Sequence, residues 1–279
     1  MVSSAGEPDQ DFSTTFARGL SVIRCFSHDT PELSVSEAAE LVGMSRTAAR
    51  RFLLTLAALG YATFDDRRFR LTAKVLDLGY AYLSSMDIWG IAQPFLEQLS
   101  SEVQESCGAS VLEGTEVVHV IHAAPRRILS ALVSAGTRQP AHATALGRVH
   151  LAALAPDALD RYFLKAQLTR FTARTLTTER ELRKAIDETE RLGYALVDQE
   201  LEEGLRAIAV PLYDHKDAVV GAVVVSCHAG RVDLSNMIKR ILPRLQATVR
   251  AIHDALPNHA SANFKSPTAD PHTLSVRKE

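Results

Sequence analysis

The stretch SRTAARRFLLTLAALG, residues 45–60, constrains the chain most. At about 100° per residue, Ala49, Phe52, Leu53 and Leu56 fall at i, i+3, i+4 and i+7 and make one apolar face. Arg46, Thr47, Arg50 and Arg51 spread over the other half, in the first two turns, with no acid among them. Ser45 is placed to cap the helix, and Gly60 to stop it. The apolar face has to be buried in a small helical core. The arginine face has to serve something else. Arginine's planar fork pairs with guanine or grips phosphate, and a recognition helix points its N-terminal residues into the major groove.

The neighbouring residues fit that geometry. TFARGLSVIRCF predicts a helix with Phe16, Leu20, Ile23, Cys25 and Phe26 inward, followed by a loop with Pro31. Ser36 is the expected cap of a short helix, EAAELV, which Gly43 ends. Ala39 is small where two helices cross closely, and Ala38, Val42 and Met44 supply buried faces. A small residue, then Gly four later, then a capped basic helix, is a helix-turn-helix arrangement. YATFDDRRFRL alternates around Asp65-Asp66 and predicts a β-hairpin, a wing that carries Arg67, Arg68 and Arg70. Exposed arginines most often only solvate a helix. Here the turn, the cap and the wing agree with the helix, and residues 14–71 are expected to bind DNA through Ser45, Arg46, Thr47, Arg50, Arg51, Arg67 and Arg68.

The formal net charge of the 279 residues is −2, so affinity for nucleic acid has to come from that local patch. The three cysteines, Cys25, Cys107 and Cys227, lie far apart, and no C-x-x-C is present. Neither a disulfide framework nor a Cys-rich zinc site is indicated, and a reducing compartment fits. MVSSAGEPDQDF lacks the apolar centre of a secretory signal. No run of about 18 apolar residues suggests a membrane span. A cytoplasmic, nucleoid-associated protein is expected. The catalytic patterns G-x-S-x-G, P-loop and G-x-G-x-x-G are missing, so neither enzyme activity nor a cofactor is expected. A hydrolase, or a ligand sensor with no role on DNA, remain the rivals. Neutralising Arg46, Arg50 and Arg51 separates them.

Residues 1–13 and 257–279 read as disordered segments, small, polar and proline-bearing. Residues 72–90 predict a linking helix. Val75, Leu78, Gly79, Tyr82 and Met86 form one stripe, and Leu76, Tyr80 and Leu83 a second. A helix apolar on two sides is buried on two sides, which points to a homodimer or tetramer. From 91 to 256 the pattern is mixed. QPFLEQLSSEVQESC is a helix, ASVLE and EVVHVIH are strands joined at Gly114-Thr115, and RILSALV is a third strand. A loop, SAGTRQPAHA, leads to the helix TALGRVHLAALA. Helices near 157–165 and 178–192 follow, then strands YALVDQE, LRAIAVPLY and AVVGAVVVSC. A last helix spans 233–255 with a bend at Pro243. The fold class is α+β, with a sensor sheet of the GAF/PAS kind.

FARGLSVIRCF and SVSEAAELVGMSRTAARRFLLTLAALGYATFDDRRFRLTAKVLDLG resemble the winged helix-turn-helix of IclR-type bacterial transcriptional regulators. PAHATALGRVHLA and VDQELEEGLRAIAVPLYD resemble the two signature segments of their effector-binding domain. RTAARRFLLTL, PAHAT-x-x-GRV, DQELE-x-GLR and HAGRV are most similar to the branch that controls aromatic-acid catabolism through the β-ketoadipate route. The resemblance runs from Phe16 to Leu256. It implies a homodimer or tetramer on a pseudo-palindromic double-stranded operator, with a small carboxylic acid as effector. Protocatechuate, 4-hydroxybenzoate and β-ketoadipate are the acids it suggests, and shikimate- or quinate-type acids stay open.

The resemblance also places the pocket at Ala145, Leu146, Leu205, Ala207, Val224 and Ser226. The start of the helix near Thr144 offers free amides to a carboxylate, and Thr144 can donate a hydroxyl bond. His142, Asp198 and Arg206 are polar neighbours expected to join the site. Each has a plainer reading: Thr144 as a cap, His142 as a loop or core histidine, Arg206 paired with Glu202 or Glu203, Ser226 as a satisfied strand residue. His119 and His122, three apart on a strand, are expected to point to opposite faces and so not to share a metal.

Overall fold

The computed structural model describes residues 12–27, 30–65, 67–78, 87–125, 134–214 and 216–256. The expected strand at 127–133, the centre of the linking segment (79–86), the tail, and all but the end of the N-terminal segment lie outside these residues. The chain divides into two compact units between Ser85 and Met86.

In the first unit, α1 (Thr14–Arg24) is capped by Ser13. A two-residue strand β1 (Glu32–Leu33) leads to α2 (Val35–Val42). The cap of α2 is Ser34, two residues before the expected Ser36, because Ser34 and Glu37 form a reciprocal capping box. Gly43 closes α2 at φ 66°, the left-handed turn that sets up α3 (Arg46–Ala58). The hairpin β2 (Ala62–Asp65) and β3 (Arg68–Leu71) follows, and β1 adds to it in the order β1-β3-β2. Val22, Leu33, Ala38, Leu53 and Phe69 form the core. Ala49 is buried as expected. Phe16 and Leu20, expected inward, are exposed. The reason is Gly19: α1 lies against α3 through its glycine, which faces the Phe52 ring, and through Val22. A 3-10 turn at Ala73–Val75 follows the hairpin.

In the second unit, α4 (Asp87–Val103) runs unbroken across the expected start of the domain at residue 91. It also stops short of the expected helix end at Cys107. Gln104 takes φ 57°, Ser100 Oγ donates to the Glu105 carbonyl at 2.9 Å, and β4 (Ser106–Glu113) begins. β5 (Glu116–Ala123) returns from Gly114, itself at φ 63°. The expected loop 134–143 instead holds a short strand, β6 (Arg138–Pro140), and a 3-10 turn, Ala141–Ala143. The Arg138 guanidinium bonds Glu113 and Glu116 and fastens that strand to β5. Then come α5 (Ala145–Ala152), α6 (Pro156–Lys165), α7 (Glu179–Leu192), β7 (Ala195–Asp198), β8 (Leu205–Tyr213) and β9 (Val219–His228). The last helix starts at Leu234, passes through a π-turn at Met237–Ile241 just before Pro243, and ends as α8 (Leu242–Ala255). The π-turn marks the expected irregularity at Pro243, whose ring cannot accept a regular turn before it.

The six strands form one antiparallel sheet in the order β6-β5-β4-β9-β8-β7. One face packs on α4 and α8, where Trp89 lies on Gly221. The other face, through Ala195, Val197, Ala209, Ala222 and Val224, packs on α5, with α6 and α7 beyond. Among the described residues no helix is long and apolar enough to cross a membrane.

Candidate functional site

The arginine face of the first unit stands clear of its core. Ser45 Oγ accepts from the Ala48 amide at 3.2 Å, which satisfies the start of α3. Thr47, Arg50 and Arg51 project from its exposed side, and Arg50 and Arg51 have no acidic partner among the described residues. Arg46 is exposed too, but its guanidinium donates to Ser36 on α2 and so ties the two helices of the turn together. In the wing, Arg67 is exposed at the hairpin turn. Arg68, expected on DNA, is a brace instead: it donates to the Glu32 carbonyl at 2.9 Å and to Glu37 at 3.0 Å. Arg70 pairs with Glu32. Glu37 thus serves both the α2 cap and the wing. The hydrogen bonds to Ser34 and the charge of Arg68 hold its carboxyl below the usual range.

In the second unit a cavity of about 410 Å³ lies where α5 meets the sheet. That volume is within the roughly 300–1,000 Å³ usual for small-molecule sites. Thr144, Ala145 and Leu146 line one end; Leu205, Ala207, Val224 and Ser226 line the sheet side, with Val197 beside them. Seven of the ten residues expected at the effector site therefore come together.

The start of α5 sets the chemistry at that end. Thr144 Oγ1 accepts from the Gly147 amide at 3.0 Å and donates its own proton to the Pro140 carbonyl at 3.3 Å. Its hydroxyl is spent as a cap, so the expected hydroxyl bond to a ligand is not on offer. The amides of Ala145 and Leu146, in the first turn, have no acceptor within the helix, and both residues line the cavity. Gly147 is required there. A Cβ at that position would stand 2.0 Å from the Ala141 carbonyl oxygen, so only glycine lets the turn 141–143 lie on the helix.

Three expected residues lie outside the cavity. His142 is buried, but its Nε2 faces the Thr169 carbonyl at 3.0 Å and its ring tilts over Phe171. Burial lowers its pKa, which keeps it neutral. Arg206 and Asp198 are direct neighbours across β8 and β7, on the sheet face away from α5. They pair with each other at 2.7 Å, and Arg206 also donates to the Val232 carbonyl at 2.5 Å. Burial pushes the Asp198 carboxyl up, but bonds from Arg206 and Gln199 and the charges of Arg206 and Arg174 bring it below its ordinary value. Strand alternation decides this placement: Leu205 and Ala207 face the cavity, so Arg206 between them cannot.

Other cavity residues were not expected. His119 and His122 both line it. The register of β5 slips at Val120, so Ser110 pairs with His119 while Gly108 pairs with His122. One residue is left out of the ladder, and two rings three apart in sequence share a face. Glu105 and Arg231 meet at 2.6 Å in the wall, bringing the HAGRV segment to the site. Glu202 and Glu203 lie at the rim, whereas Glu200 is a buried anchor. Its carboxylate bonds Arg148 of α5 at 2.5 Å, both side chains at most about a tenth exposed. Thr175 Oγ1 donates to the Glu200 carbonyl at 2.6 Å. The DQELE signature therefore ties the β7–β8 turn to the cavity helix.

A capped basic helix behind a tight turn can enter a DNA groove. A separate cavity that ends on free helix amides can take a small acid. Together they define a class, the ligand-responsive DNA-binding transcription regulators. Residues 15–66 match the IclR helix-turn-helix domain, and residues 80–254 match the bacterial transcriptional regulator IclR C-terminal domain. The chain belongs to the IclR family. It is 42% identical over 243 residues to the Pca regulon regulatory protein of Pseudomonas putida, covering 87% of this chain and 84% of that one. It is 34% identical to the p-hydroxybenzoate hydroxylase transcriptional activator of Acinetobacter baylyi, covering 88% and 92%. A crystal structure of a transcriptional regulator from Rhodococcus sp. RHA1 superposes with a TM-score of 0.80 at 42% identity, over 87% of this chain and 98% of that one.

Proposed function

We propose that this regulator controls genes for the breakdown of aromatic compounds in response to a small aromatic acid. The observation that carries it is the cavity at the start of α5, where the first-turn residues Ala145 and Leu146 and the helix dipole adjoin an apolar wall of Leu205, Ala207 and Val224, with His119, His122 and Gln139 among the polar residues of the remaining lining. Amides at a helix start favour a carboxylate, and the apolar wall favours a ring. The names of the two curated relatives, one tied to a Pca regulon and one to p-hydroxybenzoate hydroxylase, support the pathway. Ser45, Thr47, Arg50 and Arg51, with Arg67 at the wing, are proposed to meet DNA, and Arg46 to orient the helix through Ser36. A dimer presents two such helices to the half-sites of a pseudo-palindromic operator, in the cytoplasm where the chromosome lies.

The test is a thermal-shift panel of aromatic and aliphatic acids on the full chain. A ligand that binds only the folded state raises its stability by RT ln(1 + [L]/Kd). A shift with a benzoate-type acid is expected. No shift with any ring acid would overturn the reading.

A further inference from the structure

The cavity wall holds one polar atom that nothing among the described residues satisfies. His119 is 6% exposed, and its Nδ1 has no hydrogen-bond partner among the described residues. Its Nε2 faces Gln139 Oε1 at 3.0 Å. A carbonyl oxygen accepts, so Nε2 carries the proton and Nδ1 presents a lone pair. Burial lowers the pKa of the ring, and that of His122 beside it, so both are neutral at neutral pH. Gly108 pairs with His122 across the ladder and lines the cavity next to Nδ1 without a side chain; a Cβ there would stand 3.7 Å from that atom. A buried acceptor left unpaired keeps its desolvation penalty, which a ligand bearing a donor removes.

We infer that His119 is a specificity-determining residue, whose Nδ1 accepts a proton-donating substituent of the effector and selects hydroxylated ring acids over bare ones. This rests on the reading that the cavity holds an aromatic acid. The carboxylate sits on the Ala145 and Leu146 amides, and the ring substituent donates to Nδ1. Gln139 is the positioning residue, because it sets which ring nitrogen is free. A site built to bond a hydroxyl rejects the analogue that lacks it, since its own polar group is then left unpaired.

The experiment is calorimetric titration of the full chain with 4-hydroxybenzoate, 4-aminobenzoate, 4-fluorobenzoate and benzoate. Hydroxyl and amino groups donate, whereas fluorine matches them closely in size and cannot. The two donors are expected to bind roughly tenfold or more tighter than the other two. In His119→Phe the gap between 4-hydroxybenzoate and 4-fluorobenzoate closes, whatever the common change in affinity for the two. If that variant does not fold, the ligand series on the native chain still decides. Equal binding of all four acids overturns the role of His119 and leaves the aromatic reading standing. Binding of none, with a response to adipate accompanied by proton uptake, overturns both: a second carboxylate would then be charging the ring.

Discussion

Single residues here divide between those that touch a ligand and those that make the touch possible. Arg50 is proposed for the first kind. Arg50→Ala is expected to weaken operator binding by about 1–3 kcal/mol if its fork reads a base, with unfolding unchanged. Fluorescence anisotropy on matched and scrambled DNA checks it; equal loss on both would make it a phosphate contact. Gly147 and Glu200 belong to the second kind. Gly147→Ala drives a methyl to 2.0 Å from a backbone oxygen, so the first turn of α5 must shift. A cost of about 1–3 kcal/mol in urea unfolding is expected, together with loss of acid binding. Glu200→Gln leaves the Arg148 charge buried with a weaker partner. Removing one side of such a pair costs about 3–5 kcal/mol, and this milder change is expected to cost less than Glu200→Ala in the same assay. Equal stability in all three proteins would show that the pair anchors nothing.

Elements were legible where period and punctuation agreed. The α3 face built on Ala49 and Leu53 and the left-handed closure at Gly43 could be read directly, and so could the strands on both sides of Gly114. Leu53→Ala, which opens the core shared with Phe69 and Val22, is expected to cost about 2–5 kcal/mol by thermal unfolding of the first unit. A value under 1 kcal/mol would mean that the face is misassigned. The misreadings share one physical cause: the competing residue was chemically adequate. Ser36 could cap a helix, but only Ser34 has a glutamate three residues on. Arg68 could touch DNA, but Glu37 and Glu32 reach it first. Phe16 and Leu20 have the right spacing to face inward, yet a glycine on α1 meets Phe52 and sets a different inner face. Arg206 and Asp198 are next to cavity residues in sequence, and that adjacency puts them on the wrong side of the sheet. The bulge at Val120 left no local sign, since valine is equally at home in the ladder and out of it.

At the scale of the molecule, the two units differ in what acid does to them. The second unit buries several neutral histidines. His150, with its Nε2 3.0 Å from Ser110 Oγ, has its pKa pushed down to about 4 by burial. Unfolded, it titrates near 6.5. Between those values the unfolded chain binds the proton and the folded chain does not, so stability is complete above about pH 6.5 and falls as pH drops towards 4. His150 alone accounts for about 3 kcal/mol of that loss, and His119 and His142 add in the same direction. The first unit has no histidine among its described residues. Urea unfolding of the full chain at pH 7.5 and pH 4.5 is expected to show the second unit weakened selectively. A parallel loss in both units would place the acid sensitivity elsewhere. An acid effector that binds only the folded state would counter this loss, so occupancy and tolerance of low pH should rise together.

The slip at Val120 has a consequence for how such a cavity can change over time. Because the ladder steps over that valine, its removal would leave His119 opposite Ser110 and His122 opposite Gly108, in a straighter strand with the same two rings inward. Two chains that differ by one residue in this strand can therefore present identical walls. Two chains of equal length can present different ones if only one of them keeps the slip: regular pairing would carry Ile121 over Gly108 and turn His122 away. Which acids a descendant answers to can shift through the threading of a strand, with every side chain conserved.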